Sequence, residues 1–139
     1  MGSVMRNLVV IIASVGLAGC GGGTAATSGT YNPAKCLASF EYDATVFKLG
    51  NMHDKVAQYL ARGMYVLEKV KSDGGSPAEV LSEAKQFSRD HAADSKQMDA
   101  LHMACDKALA EDPNFRAEFP DLIERAQPLV PKFEAAAAP

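Results

Sequence analysis

The chain has 139 residues, about one small domain's worth, which excludes an enzyme built from separate cofactor and substrate domains. Hydrophobic residues make up 47% and charged residues 22%, so wholesale disorder is excluded, while 7% aromatics without Trp leave little material for a base-stacking platform. A formal net charge of -3 argues against nucleic acid as a partner, because a phosphate-binding surface needs concentrated positive charge.

From Leu8 to Leu17 the chain reads LVVIIASVGL, an uncharged apolar run preceded by Arg6. A membrane-spanning helix needs about 20 apolar residues, so this run has the length of a signal-peptide core and not of a permanent span. The alternative, a buried helix, calls for polar residues recurring at a helical period, and Ser14 stands alone in the run. Met5-Arg6 offers an alternative start to Met1. Leu17-Ala18-Gly19-Cys20 follows, and it resembles the lipobox of bacterial lipoproteins. That resemblance implies a signal peptide over residues 1–19, cleavage before Cys20 and lipidation of Cys20 by a diacylglyceryl thioether and an N-acyl chain such as palmitate. Several acyl chains anchor stably where one does not. Gly21 stands where enteric lipoproteins of the inner membrane carry a retention Asp, so the resemblance points to the outer membrane, with the protein facing the periplasm. Residues 20–31, rich in Gly, Ala, Thr and Ser, read as a lipidated flexible tether.

An odd cysteine count in an exported protein leaves one thiol to explain. Lipidation accounts for Cys20, and Cys36 and Cys105 remain as a pair in a compartment where disulfides persist. The alternative is two reduced, buried thiols.

The expected domain, residues 32–130, is an all-α bundle of about four main helices closed by that disulfide. Asn32-Pro33 reads as an N-cap followed by Pro at the first helical position, and Cys36, Phe40, Asp43 and Phe47 recur at a helical period as far as Gly50-Asn51. Met52 to Lys71 carries a long apolar stripe through Val56, Tyr59, Leu60, Gly63, Met64, Leu67 and Val70. Gly63 within it costs helix propensity, which predicts the close passage of another helix backbone. Ser76-Pro77-Ala78-Glu79 is a capping box and opens a third helix to about His91. Asp94 and its neighbours offer a cap for a fourth helix, from about residue 95 to 111, either separate from the third or continuous with it. Pro113–Phe119 and Pro120–Gln127 suggest two short helical turns, and residues 131–139, ending in four Ala and a Pro, read as a frayed, disordered tail. No strand pattern occurs.

Candidate chemistry is sparse. If residues 87–105 form one helix, His91, Met98 and His102 fall within roughly 60° of one another. Imidazole and thioether together suit copper or haem iron, although a CxxCH haem attachment is missing. His53 beside Met52 could join them only if the helix junctions converge. A His102–Cys105 nucleophile fails if Cys105 is disulfide-bonded. The scattered carboxylates read as a solvated surface. The expectation is therefore no catalytic residue, no enzyme activity and no resident cofactor.

The run Ser76-Pro77-Ala78-Glu79-Val80-Leu81, with Ala104-Cys105-Asp106 and Asn114-Phe115 downstream, is similar to the second half of HdeA-type periplasmic acid-stress chaperones. The resemblance implies a small helical protein that binds clients through apolar surface exposed in acid. The chain departs from that family in its wider cysteine spacing and in its lipid anchor. The functional expectation is a lipid-anchored, non-enzymatic binding module of the bacterial envelope with an unidentified envelope protein as partner. An acid-stress chaperone and a copper- or haem-binding bundle are the alternatives.

Overall fold

The computed structural model describes residues 31–91 and 93–136; the apolar leader and Cys20 lie outside them. It is all-helical, with no strand among the described residues. In chain order the helices are α1 (Pro33–Leu49), α2 (His53–Ser72), α3 (Pro77–His91), α4 (Ser95–Ala110) and α5 (Pro113–Ala126). A 3-10 turn (Gln127–Leu129) then leads into α6 (Val130–Ala136). None of the described helices is long and apolar enough to cross a membrane.

The helix ends follow local chemistry. Asn32 accepts a hydrogen bond from Lys35 N at 3.1 Å, Ser76 Oγ accepts from Glu79 N at 3.3 Å, and Asp94 accepts from Gln97 N at 3.0 Å, so three side chains satisfy amides that the helix cannot. Two ends close by the same backbone device. At the end of α1, Met52 N donates to Phe47 O and Asn51 N to Lys48 O; at the end of α2, Gly75 N donates to Val70 O and Gly74 N to Lys71 O. Each is a Schellman closure with the pivot residue in left-handed conformation. The pivot after α1 is Asn51 at φ 56°, while Gly50 keeps an ordinary φ of -88°. After α2 it is Gly74 at φ 86°.

Helix α1 sits at the centre. Its first half buries Ala34, Cys36, Leu37, Ala38, Ser39 and Phe40, which cover every face of the helix, as an element enclosed on all sides requires. It packs against α2, α3 and α4, and α5 packs on α2. Cys36 and Cys105 are joined, with Cα atoms 5.6 Å apart, fastening α1 to α4. The bundle thus has the architecture expected of it, closed by the expected bridge.

Three features differ from the sequence expectation. The two short turns after Pro113 are one helix, α5, with Pro120 inside it. Pro120 cannot bond the carbonyl of Arg116, but both residues are exposed and water can take that oxygen, while buried Phe115, Leu122 and Ala126 hold the helix together across the break. Residues 130–136 are helical and not a frayed tail: Val130 is buried and Phe133 packs against the core, so the ordered domain runs past residue 130. Finally, no backbone passes at Gly63. A Cβ built there would meet only Leu37 Cδ2, at 3.4 Å.

That last distance is ordinary contact, so Gly63→Ala is accommodated and removes a helix-interior glycine. The variant should be more stable by about 1 kcal/mol in urea denaturation. Replacing Cys36 and Cys105 together by Ser should lower stability by roughly 4 kcal/mol, because the closed loop spans about 70 residues. Denaturation of the oxidised, reduced and doubly substituted proteins measures this.

Candidate functional site

The bundle carries two polar junctions in succession along α2 and one apolar groove on its surface. The first junction begins with Asp43, the polar residue on the inner stripe of α1. Its Oδ2 lies 2.5 Å from His102 Nδ1 on α4, and His102 Nε2 lies 3.1 Å from Asp106 Oδ2 one turn further on. Asp43 stands at hydrogen-bond distance from one ring nitrogen, and Asp106 is near the other. From α2, Tyr59 donates its hydroxyl to Asp106 at 3.4 Å, and Arg62 Nε stands 3.1 Å from Asp106 Oδ1, near enough for charge attraction but off the hydrogen-bond line. The Arg62 guanidinium also covers the Tyr59 ring at 4.5 Å and the Phe119 ring at 4.9 Å. Five side chains thereby tie α1, α2 and α4 together beside the disulfide.

This junction does not supply an activated nucleophile. The hydroxyl sharing Asp106 with His102 belongs to Tyr59, and burial, reinforced by the Asp106 charge, pushes its pKa up to about 12. Burial also raises the Asp43 carboxyl above its usual range, against the attraction and hydrogen bond of His102.

The expected metal stripe is dismantled by the same geometry. Helices α3 and α4 are separate, with Asp94 capping the second, so the single helix on which the stripe depended does not form. His91 ends α3 with its ring against Phe87, centroids 4.4 Å apart. Met98 is buried, and both nitrogens of His102 face carboxylates on opposite edges of the ring, where no single ion can reach both. His53 pairs with Glu134 on α6, at 2.5 Å from Nδ1 to Oε1. Among the described residues, no three His, Cys, Asp or Glu side chains converge as a metal site requires.

The second junction is Asp112, between α4 and α5. Its Oδ1 caps α5 by accepting from Asn114 N at 2.9 Å and Phe115 N at 3.4 Å. Its Oδ2 accepts from Tyr65 at 2.5 Å and Lys69 at 3.3 Å, both on α2. Asp-Pro before a helical run is an N-cap signal, and it could have been read as one. Beside this junction lies a polar depression of about 330 Å³, where Lys69 pairs with Asp112 and Glu68 with Arg125, and Asp73 and Glu118 add two further carboxylates to the lining.

The groove is different in kind. It has a volume of about 320 Å³ and runs between α1, α2 and α3, with the chain after α5 at one end. Leu37 and Phe40 come from α1, Leu60, Met64 and Leu67 from α2, and Leu81 and Ala84 from α3. Leu129 and Phe133 close one end, and Glu41 and Lys85 are the charged residues of the lining. Gly63 lies in the lining, where a Cβ would come into contact with Leu37. Leu81 and Leu129 remain 40% and 39% exposed, so apolar surface continues from the groove to the outside. The size and lining suit an apolar ligand or a row of apolar side chains from a partner. Sequence periodicity placed its residues on helix faces but counted them as core, because a 3.6-residue pattern does not distinguish a covered stripe from an open one.

Compared with protein-family models, curated proteins and solved structures, the chain matches none.

The Asp112 junction makes a pH prediction. Burial alone would raise this carboxyl, but the bonds from Tyr65, the Phe115 and Asn114 amides and Lys69 outweigh burial and hold it below its usual value. A carboxyl depressed on folding contributes stability that is fully present above its unfolded value and lost as pH falls through the folded value. Asp43, raised on folding, has the opposite sign: its contribution is present below the unfolded value and is lost as pH rises through the folded one. Asp112→Ala should therefore cost about 1–2 kcal/mol at neutral pH, the range for a lost N-cap, and less as the pH drops below the carboxylate range. Urea denaturation of both proteins across pH 2 to 7 measures the difference.

Proposed function

We propose that the chain is a lipid-anchored, non-enzymatic binding module of the bacterial envelope whose apolar groove receives apolar side chains of an envelope protein partner. The groove carries this reading. An opening of about 320 Å³ with an almost wholly apolar lining, kept free by a glycine, is surface that a domain this small would otherwise cover. Anchoring follows from the resemblance of Leu17-Ala18-Gly19-Cys20 to a lipobox, and the outer membrane and the periplasm follow from the same resemblance.

Two substitutions test the two halves. Gly63→Leu keeps a good helix former on α2 and projects its side chain into the groove. It should leave the fold intact while abolishing the adducts formed in cells by a photoreactive residue at Leu81; identical adducts in both proteins would end the groove reading. Cys20→Ser should yield an uncleaved protein without acyl mass. A processed, membrane-bound product from that variant would remove the lipobox reading.

The acid-stress chaperone reading draws support from one observation, the Asp112 junction, whose strength depends on an ionised carboxylate joining α2 to α5. It makes a demand the groove reading does not: near pH 2 the purified domain must suppress aggregation of a client protein. Binding of an apolar dye in acid is insufficient, since loosening by protonation is common to carboxylate-rich domains.

A further inference from the structure

We infer that α6 is a hinged strap whose closed position fills one end of the apolar groove and whose release opens it. The purpose of the strap rests on the groove reading above; its existence does not, and it can be measured without any ligand.

The hinge is written in the backbone. Pro128 lies in the 3-10 turn and Pro131 in the first turn of α6, and neither has an amide N–H to continue the hydrogen-bond ladder from α5. Two missing donors within four residues uncouple α6 from the long helix before it, so the segment can swing without unwinding α5. Little holds it in place. A helix of seven residues is marginal by itself, and α6 buries only Val130 completely, with Phe133 partly buried in the groove wall. Pro131, Lys132, Ala135 and Ala136 face solvent.

The latch is the Glu134–His53 pair. His53 is the first residue of α2, and its N-cap, Met52, provides no side-chain hydrogen bond to the helix amides. A carboxylate brought to this end therefore meets the positive pole of a helix that lacks a capping group of its own. Asp54 in the same turn already contributes one negative charge, and Lys132 is the other charged group of the strap. His53 is 60% exposed and Glu134 24%, so water reaches the pair from the His53 side, and release of α6 would carry Glu134 outward into solvent. Phe133, next to Glu134 in sequence, lines the groove together with Met64. Breaking the latch and pivoting at the prolines would withdraw Phe133 and bare Met64.

Methionine oxidation by dilute peroxide reads this directly, because the chain carries its own standards. Met98 is 1% exposed and marks opening of the whole bundle, while Met103 is 71% exposed and marks a freely reacting thioether. In the full-length protein, Glu134→Ala should raise the oxidation rate of Met64 about fivefold toward that of Met103 and leave Met98 unchanged. Phe133→Ala should do the same without touching the latch. Hydrogen exchange of residues 130–136 should be at least tenfold faster than that of residues 56–66 in the unmodified protein, and faster again in Glu134→Ala. The proposal is overturned if Met64 ignores both substitutions, if Met64 and Met98 accelerate together, or if α6 is protected as well as α2. Failure of the binding reading has a different signature, adducts insensitive to Gly63→Leu.

Discussion

The structure depends on the burial of α1 from all sides. A helix enclosed by three others can have no polar face in its covered turns, and the sequence from Ala34 to Phe40 is made of small and apolar residues with Lys35 as the one charge. Small residues at positions 34, 38 and 44 let the neighbouring helices come close, and Leu37 and Phe40 fill the space between them. The bridge from Cys36 at the centre of the bundle constrains the unfolded chain and fixes α4 at the same time. α4 buries only Met98, Cys105 and Leu109, so without the disulfide and the His102 junction it would have little to hold it against α1.

The two polar junctions solve one problem with opposite acid responses. Each joins two helices through a carboxylate that burial alone would destabilise, Asp112 linking α2 to α5 and Asp43 linking α1 to α4. Around Asp112 the donors are numerous enough to outweigh burial, and the ionised form is favoured. Around Asp43 they are not: His102 is the main compensating group, and Asp106 and Asp99 repel the charge. Acid therefore weakens the α2–α5 side of the bundle while the α1–α4 side, also covalently closed, is spared the same loss. The first structure to loosen on protonation is the corner built on Asp112, not the disulfide-bonded centre.

Local signals were legible wherever the physics is local. Asn32, Ser76 and Asp94 act through amides two or three residues away, and the helices they open begin where those residues predict. The disulfide was legible because, with Cys20 assigned by the lipobox resemblance, an odd cysteine count left Cys36 and Cys105 as a pair. What failed depended on surroundings. Pro120 breaks a helix only if its freed carbonyl is also deprived of water, which the sequence does not disclose. Residues 131–139 looked like a tail because Ala and Pro carry no pattern, yet Val130 and Phe133 are enough to dock the first turns. The His91, Met98 and His102 stripe assumed continuity through residues 92–94. Asp43 was visible as an acid on an inner stripe, and an acid in that position asks for a cationic or donor partner; His102 was available for the role but was weighed as a metal ligand instead.

Gly63 shows why the candidate site was the hardest feature to read. A glycine in the middle of a helix costs stability, and the ordinary reason to tolerate it is close packing of two backbones. Here the nearest atom to the missing Cβ belongs to one Leu side chain, and the space beyond it is the groove. An alanine would satisfy the packing and improve the helix, so packing alone does not account for glycine. Larger aliphatic residues would fill the groove between Leu37 and Met64. Gly63 is thus worse for the helix than alanine and unnecessary for the core, and the groove it lines is shared by Leu129 and Phe133, which follow the backbone breaks at Pro128 and Pro131.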